Sequence, residues 1–398
     1  MTSGLAAIEA ISAARISRTV SRASDLFSAC GHTLFVEQPA RVLSYEPPDF
    51  SNDPRQAAFL LDQGRGGVSG LGQMSYDLLA GKVTCGPEFI CSLDNIEIEA
   101  GTHIPYLSPT IAIADIYHNR DILARMMKLS GRVIEMNGSP GRQIAMMFRR
   151  RRTPAMEVSE PVFSPFGFGS SNYFHFVMDM VPRLRSLSLY PELRDVRILA
   201  PVIRPGSFED QLLRRLGLHD RLLELRTGTA LCRRVYLPSM MCPGGISREQ
   251  AHYVQHTLFT AFGVRPNPVA SSLLYVSRRD SVRRRILNEP ELEQGLATLG
   301  FTTVVPGEMT AEEQISAFSS ARLVVGPIGS NNTNIVFAPD GAGLIELAPA
   351  AYCHPSIWML AKQKHMSYGL VTTDHVDGNM NMVANVETVC DIARRMLS

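Results

Sequence analysis

The segment Asn172–Leu184 reads NYFHFVMDMVPRL and sets His175, Asp179 and Arg183 four residues apart. In a helix that spacing stacks the three ionisable groups on one side. Phe174, Val177, Met178, Val181 and Leu184 recur every three or four residues and form an apolar side. Histidine titrates near neutrality, so His175 is suited to proton transfer. Asp179 is placed to orient it or to serve as the base itself. Arg183 adds a forked donor for an anion. The plain alternative is a solvated ladder worth roughly 0.2–0.5 kcal/mol per pair. Pro182 predicts a kink in this helix.

A second constellation lies at Gly326–Pro339, GPIGSNNTNIVFAP, directly after the apolar run ARLVV. It reads as a strand handing over to a helix through a polar turn. Ligands of doubly wound sheets sit at this kind of place, beyond the carboxyl end of a strand and at a helix N-terminus. Gly326 and Gly329 let backbone approach a ligand, and Ser330, Asn331, Thr333 and Asn334 can donate further hydrogen bonds. The plain alternative is that they only cap the helix. The turn matches neither the Walker phosphate loop nor the nicotinamide dinucleotide fingerprint. Two neighbours favour a ligand. SRRDSVRRRILNE, Ser277–Glu289, sends Arg278, Arg279, Arg283, Arg284 and Arg285 out of another strand end, with donors suited to phosphate oxygens. Glu346, in GLIELAP, can accept both ribose hydroxyls of a nucleotide; its alternative is a salt bridge to an arginine.

The elements that must position these groups read as α/β from about Val162 onward. Short apolar strands are predicted at 196–201, 234–237, 273–277, 302–305, 323–325 and 343–347. Helices are predicted at 172–188, 209–216, 248–262, 289–299, 311–321, 332–337 and 354–364. This alternation predicts parallel sheets with helices on both faces. Asn288 with Glu291, and Thr310 with Glu313, read as capped helix starts. Leu292, Leu296 and Leu299 form one core face, and Ile315, Phe318 and Ala321 another. The prolines at 266–268 suggest a hinge. Three regions follow: an irregular α+β region over 1–155, a lobe over 156–265 and a lobe over 266–398. Within the first, strands are expected at Ile96–Ile98 and Thr110–Ile113, and helical or mixed segments at Asn119–Leu129 and Arg142–Phe148. The Arg149–Arg152 run reads as a solvated linker.

Composition narrows the function classes. The 398 residues are 45% hydrophobic, 7% aromatic and 19% charged, with a formal net charge of +1. Such a chain has apolar residues for two or three cores and no bulk field that recruits nucleic acid. The seven cysteines are scattered, with no C-x-x-C pair, which suits a reducing, cytoplasmic compartment. No apolar run approaches the length of a bilayer span.

Taken in order, several motifs resemble glycosyltransferase family 61, whose bacterial members are often labelled capsular polysaccharide biosynthesis proteins. They are N-Y-x-H-x-x-x-D-x-x-P-R-L at 172–184, S-R-R at 277–279, R-R-I-x-N-E at 284–289 and GF at 300–301. E-Q-I-x-x-F-x-x-A at 313–321, G-x-x-G-x-x-x-T-N at 326–334 and I-E-L-x-P at 345–349 follow. The resemblance covers about residues 165–350. It implies a GT-B fold of two Rossmann-like lobes and inverting transfer from a nucleotide sugar, typically UDP-linked, with no essential metal and no cofactor. It makes Arg278 and Arg284 pyrophosphate contacts, Thr333 and Asn334 helix-end contacts, and Glu346 the ribose contact. His175 or Asp179 would then take the proton of the acceptor hydroxyl. Arg183 would hold the acceptor or the leaving diphosphate. Ser277, Arg279, Gly326, Gly329, Ser330 and Asn331 complete the expected donor site. The implied partners are a nucleotide-sugar donor and a glycan or lipid-linked glycan acceptor. Lipid-linked acceptors would bring the protein to the inner face of a membrane. Acceptor recognition and self-association are both open for residues 1–155. One departure stands out: the family's G-x-H-G has Ile328 in place of histidine. It favours the alternative of a non-catalytic nucleotide-sugar or polysaccharide-binding protein on the same fold.

Overall fold

The computed structural model describes residues 34–37, 90–101, 103, 105–108, 111–112, 154–167, 169–238, 246–267, 269–349, 352, 354, 356–373 and 376–398. The segments 119–129 and 142–148, expected to be helical or mixed, the arginine run at 149–152 and Pro268 of the suggested hinge lie outside them.

Fourteen strands run in chain order among the described residues. The first four are β1 (Leu34–Glu37), β2 (Ile90–Glu99), β3 (Pro105–Ser108) and β4 (Ile111–Ala112). Next come β5 (Met156–Val158), β6 (Val162–Phe163), β7 (Arg197–Ala200), β8 (Leu222–Glu224) and β9 (Thr229–Pro238). The last five are β10 (Ser272–Val276), β11 (Thr302–Val304), β12 (Ala321–Pro327), β13 (Gly343–Pro349) and β14 (Ser367–Thr373). They make two sheets. The first has the order β4-β3-β2-β9-β6-β7-β8, with β1 on β2 and β5 on β9. Its β1-β2, β2-β3, β3-β4 and β2-β9 pairs are antiparallel, and its β5-β9, β9-β6, β6-β7 and β7-β8 pairs parallel. The second sheet, β11-β10-β12-β13-β14, is parallel throughout. The expectation of mixed α/β structure with parallel sheets is met. β2, from the region read as irregular, pairs along its length with β9.

The second sheet is covered on both faces, which explains its near-continuous apolar strands. Helix Glu289–Ala297 and helix Val386–Leu397 bury Leu292, Leu296, Val389 and Ala393 against one face. Helix Ala311–Phe318, the turn Ser330–Phe337 and helix Ser356–Gln363 cover the other, around fully buried Trp358. That second core continues without a break into the first sheet, through Phe163, Phe176 and Ile198. Helix Arg248–Phe262 lies at the join and buries Val254, Leu258, Phe259 and Phe262. Burial of each such side chain contributes roughly 1.5–3 kcal/mol. Ser247 and Gln250 form a capping box at its start, and Gly263, at φ +67, closes it in the left-handed conformation. Among the described residues no helix is long and apolar enough to cross a membrane.

Two local expectations need correction. Asn288 does not cap its helix: its amide donates to the carbonyl of Ala384 and accepts from the Ala384 N–H, tying the helix start to the C-terminal loop. The 172–188 helix is broken into Tyr173–His175, a π-helical turn Phe176–Met180, Val181–Arg183 and Ser186–Leu189. The cause begins with Pro182. The Val181 N–H reaches back five residues to Phe176, and Pro182 has no N–H to give the Met178 carbonyl. The carbonyl left over receives the side-chain amide of buried Gln250. One glutamine thus caps one helix and completes another. Gln250→Leu should therefore destabilise the fold by about 1–3 kcal/mol, the cost of an orphaned buried carbonyl, measured as a lower denaturant midpoint with an unchanged slope.

Candidate functional site

The site is built on the opening of the broken helix. Asn172 accepts the Phe174 N–H through its side chain and starts the helix. His175 and Asp179 then meet one turn apart, with Nδ1 and Oδ2 at 2.7 Å. Gly169 closes over the imidazole. Its φ is +88, and a Cβ there would stand 2.9 Å from His175 Cδ2, so both backbone conformation and space call for glycine. With Nδ1–H donated to Asp179, the neutral ring carries its lone pair on Nε2. Arg183 does not extend this ladder: it is buried, and its Nη1 donates to the Pro165 carbonyl at 3.0 Å. It braces the helix from beneath.

The strand-end turn faces this helix. Tyr173 Oη donates to Asn334 Oδ1 at 2.7 Å, joining the helix to the turn directly. The Asn334 amide donates to Gln314 Oε1 and to the Asn331 carbonyl, so this fully buried side chain is a cross-brace. Ser330 and Asn331 stand half-buried at the rim. Thr333 is fully buried, and its hydroxyl has no partner among the described residues. Ile328 belongs to the core, and its N–H donates to the Leu347 carbonyl at 2.8 Å.

Arg278 lies across Gly329, where a Cβ would come within 1.9 Å of its Nη1. Its Nη2 donates to Ser281 Oγ and its Nε to the Arg283 carbonyl. Burial, then the charge of Arg284, lower its pKa to about 10. The guanidinium is thus held close to a second cation. Arg284 takes a left-handed backbone, φ +57, which is unusual for a residue with a side chain. The loop 376–384 holds it there: the Arg284 N–H donates to the Asn379 carbonyl, and the Leu287 and Met382 amides pair with Met382 and Arg285 carbonyls. The Arg284 guanidinium sits 4.8 Å from the Tyr352 ring centroid. Arg279 points away, toward Glu293 at 3.8 Å, and Ser277 Oγ only shapes the turn by accepting the Arg279 N–H.

Glu346 has no exposed surface. One carboxylate oxygen accepts from Asn332 Nδ2 and the other from Tyr368 Oη, both at 2.8 Å. Gly326 leaves room for Asn332, whose Oδ1 would stand 2.8 Å from a Cβ there. Glu346 therefore organises the turn; the expected presentation of an open carboxylate to ribose is not the geometry found. Of its two partners, Asn332 stands in the sequence only as part of the polar run, and Tyr368 lies in no motif. His354 was missed too. Burial, and then His175 and Arg284, lower its pKa. It lies in no recognisable motif, and its following strand end was the only available signal.

Burial raises the Glu346 pKa to about 7, against the pull of Asn332, Tyr368 and Arg284. The folded state therefore holds this proton more tightly than the unfolded chain does. The stability it contributes is full below the unfolded value near 4.5 and is lost as pH rises through about 7. Glu346→Gln should flatten that window, gaining on the order of 3 kcal/mol relative to wild type between pH 4.5 and 7.5 in denaturant titrations.

Residues 173–345 match the family model described as Glycosyltransferase 61, the family that the ordered motifs resemble. No curated protein matches the chain. Among solved structures, the metal-soaked Flv1 flavodiiron core from Synechocystis sp. PCC6803 is 14% identical over 42% of this chain and 44% of its own length, with a TM-score of 0.21.

Proposed function

From the match of residues 173–345 to glycosyltransferase family 61, we propose an inverting transfer of sugar from a nucleotide-sugar donor, UDP-linked, to a hydroxyl of a glycan acceptor. The observation that carries the reading is the His175–Asp179 pair at 2.7 Å, on a helix that the Tyr173–Asn334 hydrogen bond joins to the turn over which Arg278 lies. His175 takes the proton of the acceptor hydroxyl on Nε2 while that oxygen attacks the anomeric carbon. Asp179 fixes the tautomer and balances the imidazolium that forms. The bond from the anomeric carbon to the diphosphate oxygen breaks on the opposite face, and its electron pair leaves with the nucleoside diphosphate.

Arg278 and Arg284 are the groups offered to that leaving charge, with the first N–H groups of the Ser330–Phe337 turn beside them. Two buried or half-buried guanidinium groups that repel one another gain from an anion placed between them. A GT-B arrangement suits this division, with the acceptor base on the first sheet's side and the donor on the second sheet's. Arg183 and Glu346 act as braces in this reading.

His175→Ala and Asp179→Ala should each lower transfer by about 10²–10⁴-fold while UDP affinity, read by calorimetry, stays within about threefold of wild type. Undiminished turnover in both would remove the assignment. Arg278→Ala should instead weaken UDP binding itself by roughly ten- to hundredfold, since a charge-assisted contact to phosphate is lost.

A further inference from the structure

His354 has no part in the chemistry above, and it lies past residue 345, where the family match ends. It stands in the segment between β13 and helix Ser356–Gln363, at the carboxyl end of the parallel sheet. Ser356 fixes its ring. Nδ1 is 2.8 Å from Ser356 Oγ and 3.3 Å from the Ser356 backbone nitrogen. A backbone N–H can only donate, so Nδ1 is the acceptor and the proton of the neutral ring sits on Nε2. That N–H has no partner among the described residues. Two residues earlier, the Tyr352 ring packs on the Arg284 guanidinium at 4.8 Å, which sets this segment beside the arginine. Burial, and then the neighbouring His175 and Arg284, shift His354 toward its neutral form.

The two histidines of the cluster are therefore held in opposite tautomers. His175 gives its Nδ1 proton to a carboxylate and carries a lone pair on Nε2. His354 accepts on Nδ1 and carries a proton on Nε2. The first can take a proton; the second can only donate a hydrogen bond. A neutral donor next to Arg284 complements an anionic oxygen, and it does so without adding a third full charge to two neighbouring cations.

We propose that His354 is a diphosphate-binding residue, its Nε2–H donating to an oxygen of a bound nucleoside diphosphate beside Arg284. This rests on the nucleotide-sugar reading of the same site. As the anomeric bond breaks, the electron pair moves onto the diphosphate and the Nε2–H···O contact strengthens; no proton leaves His354.

The test is calorimetry at pH 7.5 with UDP and with uridine, on wild type, His354→Ala and His354→Gln. The Gln amide nitrogen takes the place of Nε2–H. Expected are a UDP affinity about ten- to hundredfold weaker in the Ala variant, uridine affinity unchanged, and recovery to within about threefold in the Gln variant. Wild-type UDP affinity in His354→Ala, equal losses for UDP and uridine, or no recovery in His354→Gln would each overturn the assignment. A wild-type protein that binds neither UDP nor GDP nor dTDP overturns the nucleotide-sugar reading together with this one. A wild type that binds UDP beside an Ala variant that binds it equally well overturns only the role of His354.

Discussion

The hydrogen bond from Tyr173 to Asn334 sets the distance between the two halves of the site. Tyr173 is half-buried, and its enclosure, with the nearby Glu209, holds its hydroxyl pKa well above the usual range, so it remains a donor. Asn334 passes the constraint on to Gln314, whose amide donates to the carbonyls of Pro306 and Met309. A single line of side chains thus runs from the helix that bears His175, through the Ser330–Phe337 turn, to the connection between β11 and helix Ala311–Phe318. Each bond contributes only about 1 kcal/mol net, but an orphaned partner in the interior costs about 1–3 kcal/mol, so the chain is retained or lost as a unit. His175 is two residues from its start.

The electrostatics of the cluster follow from that spacing. Arg278 and Arg284 act on one another, Tyr352 sets the His354 segment beside Arg284, and burial drives Glu346 toward its neutral form. Asp179 stands on the His175 side and is engaged by it. The apolar surroundings that close the site also weaken solvent screening, so the positive field acts on whatever anion enters. The interior organises itself around amide side chains: Gln250, Gln314, Asn332 and Asn334 are all buried and hydrogen-bonded. Amides supply donors and acceptors without adding to the charge imbalance.

Much of this frame was readable in the sequence where local chemistry decides it. Helix Arg248–Phe262 was bounded correctly because Ser247 begins it and Gly263 ends it. Thr310 and Glu313 form the capping box their spacing announces. The failures have a common cause, a partner distant in sequence. Asn288 and Glu291 show the same spacing as a cap, but Asn288 is claimed by Ala384. Pro182 predicted a disturbance, yet its form as a π turn depends on Gln250, 72 residues from Met178. Helix Val386–Leu397 and β14 went unread, and so did the loop between them that holds Arg284 in its left-handed backbone. In the site, Arg278 and Arg279 are neighbours with opposite directions, a distinction that only the turn formed by Ser277 makes.

The pairing of β2 with β9 bears on how the chain is made. Ile90 meets Pro238 and Glu99 meets Thr229, so partners are separated by well over a hundred residues of intervening chain. During synthesis β2 leaves the ribosome long before its mate exists. At about 5–20 residues per second the wait is roughly seven to thirty seconds. For that interval the apolar residues of β2, Ile90, Leu93, Ile96 and Ile98, have no β9 beside them. A nascent chain of this protein is thus exposed to wrong pairing at a stage when the parallel sheet that bears the arginines has not begun to form, and chaperone capture would be felt there first.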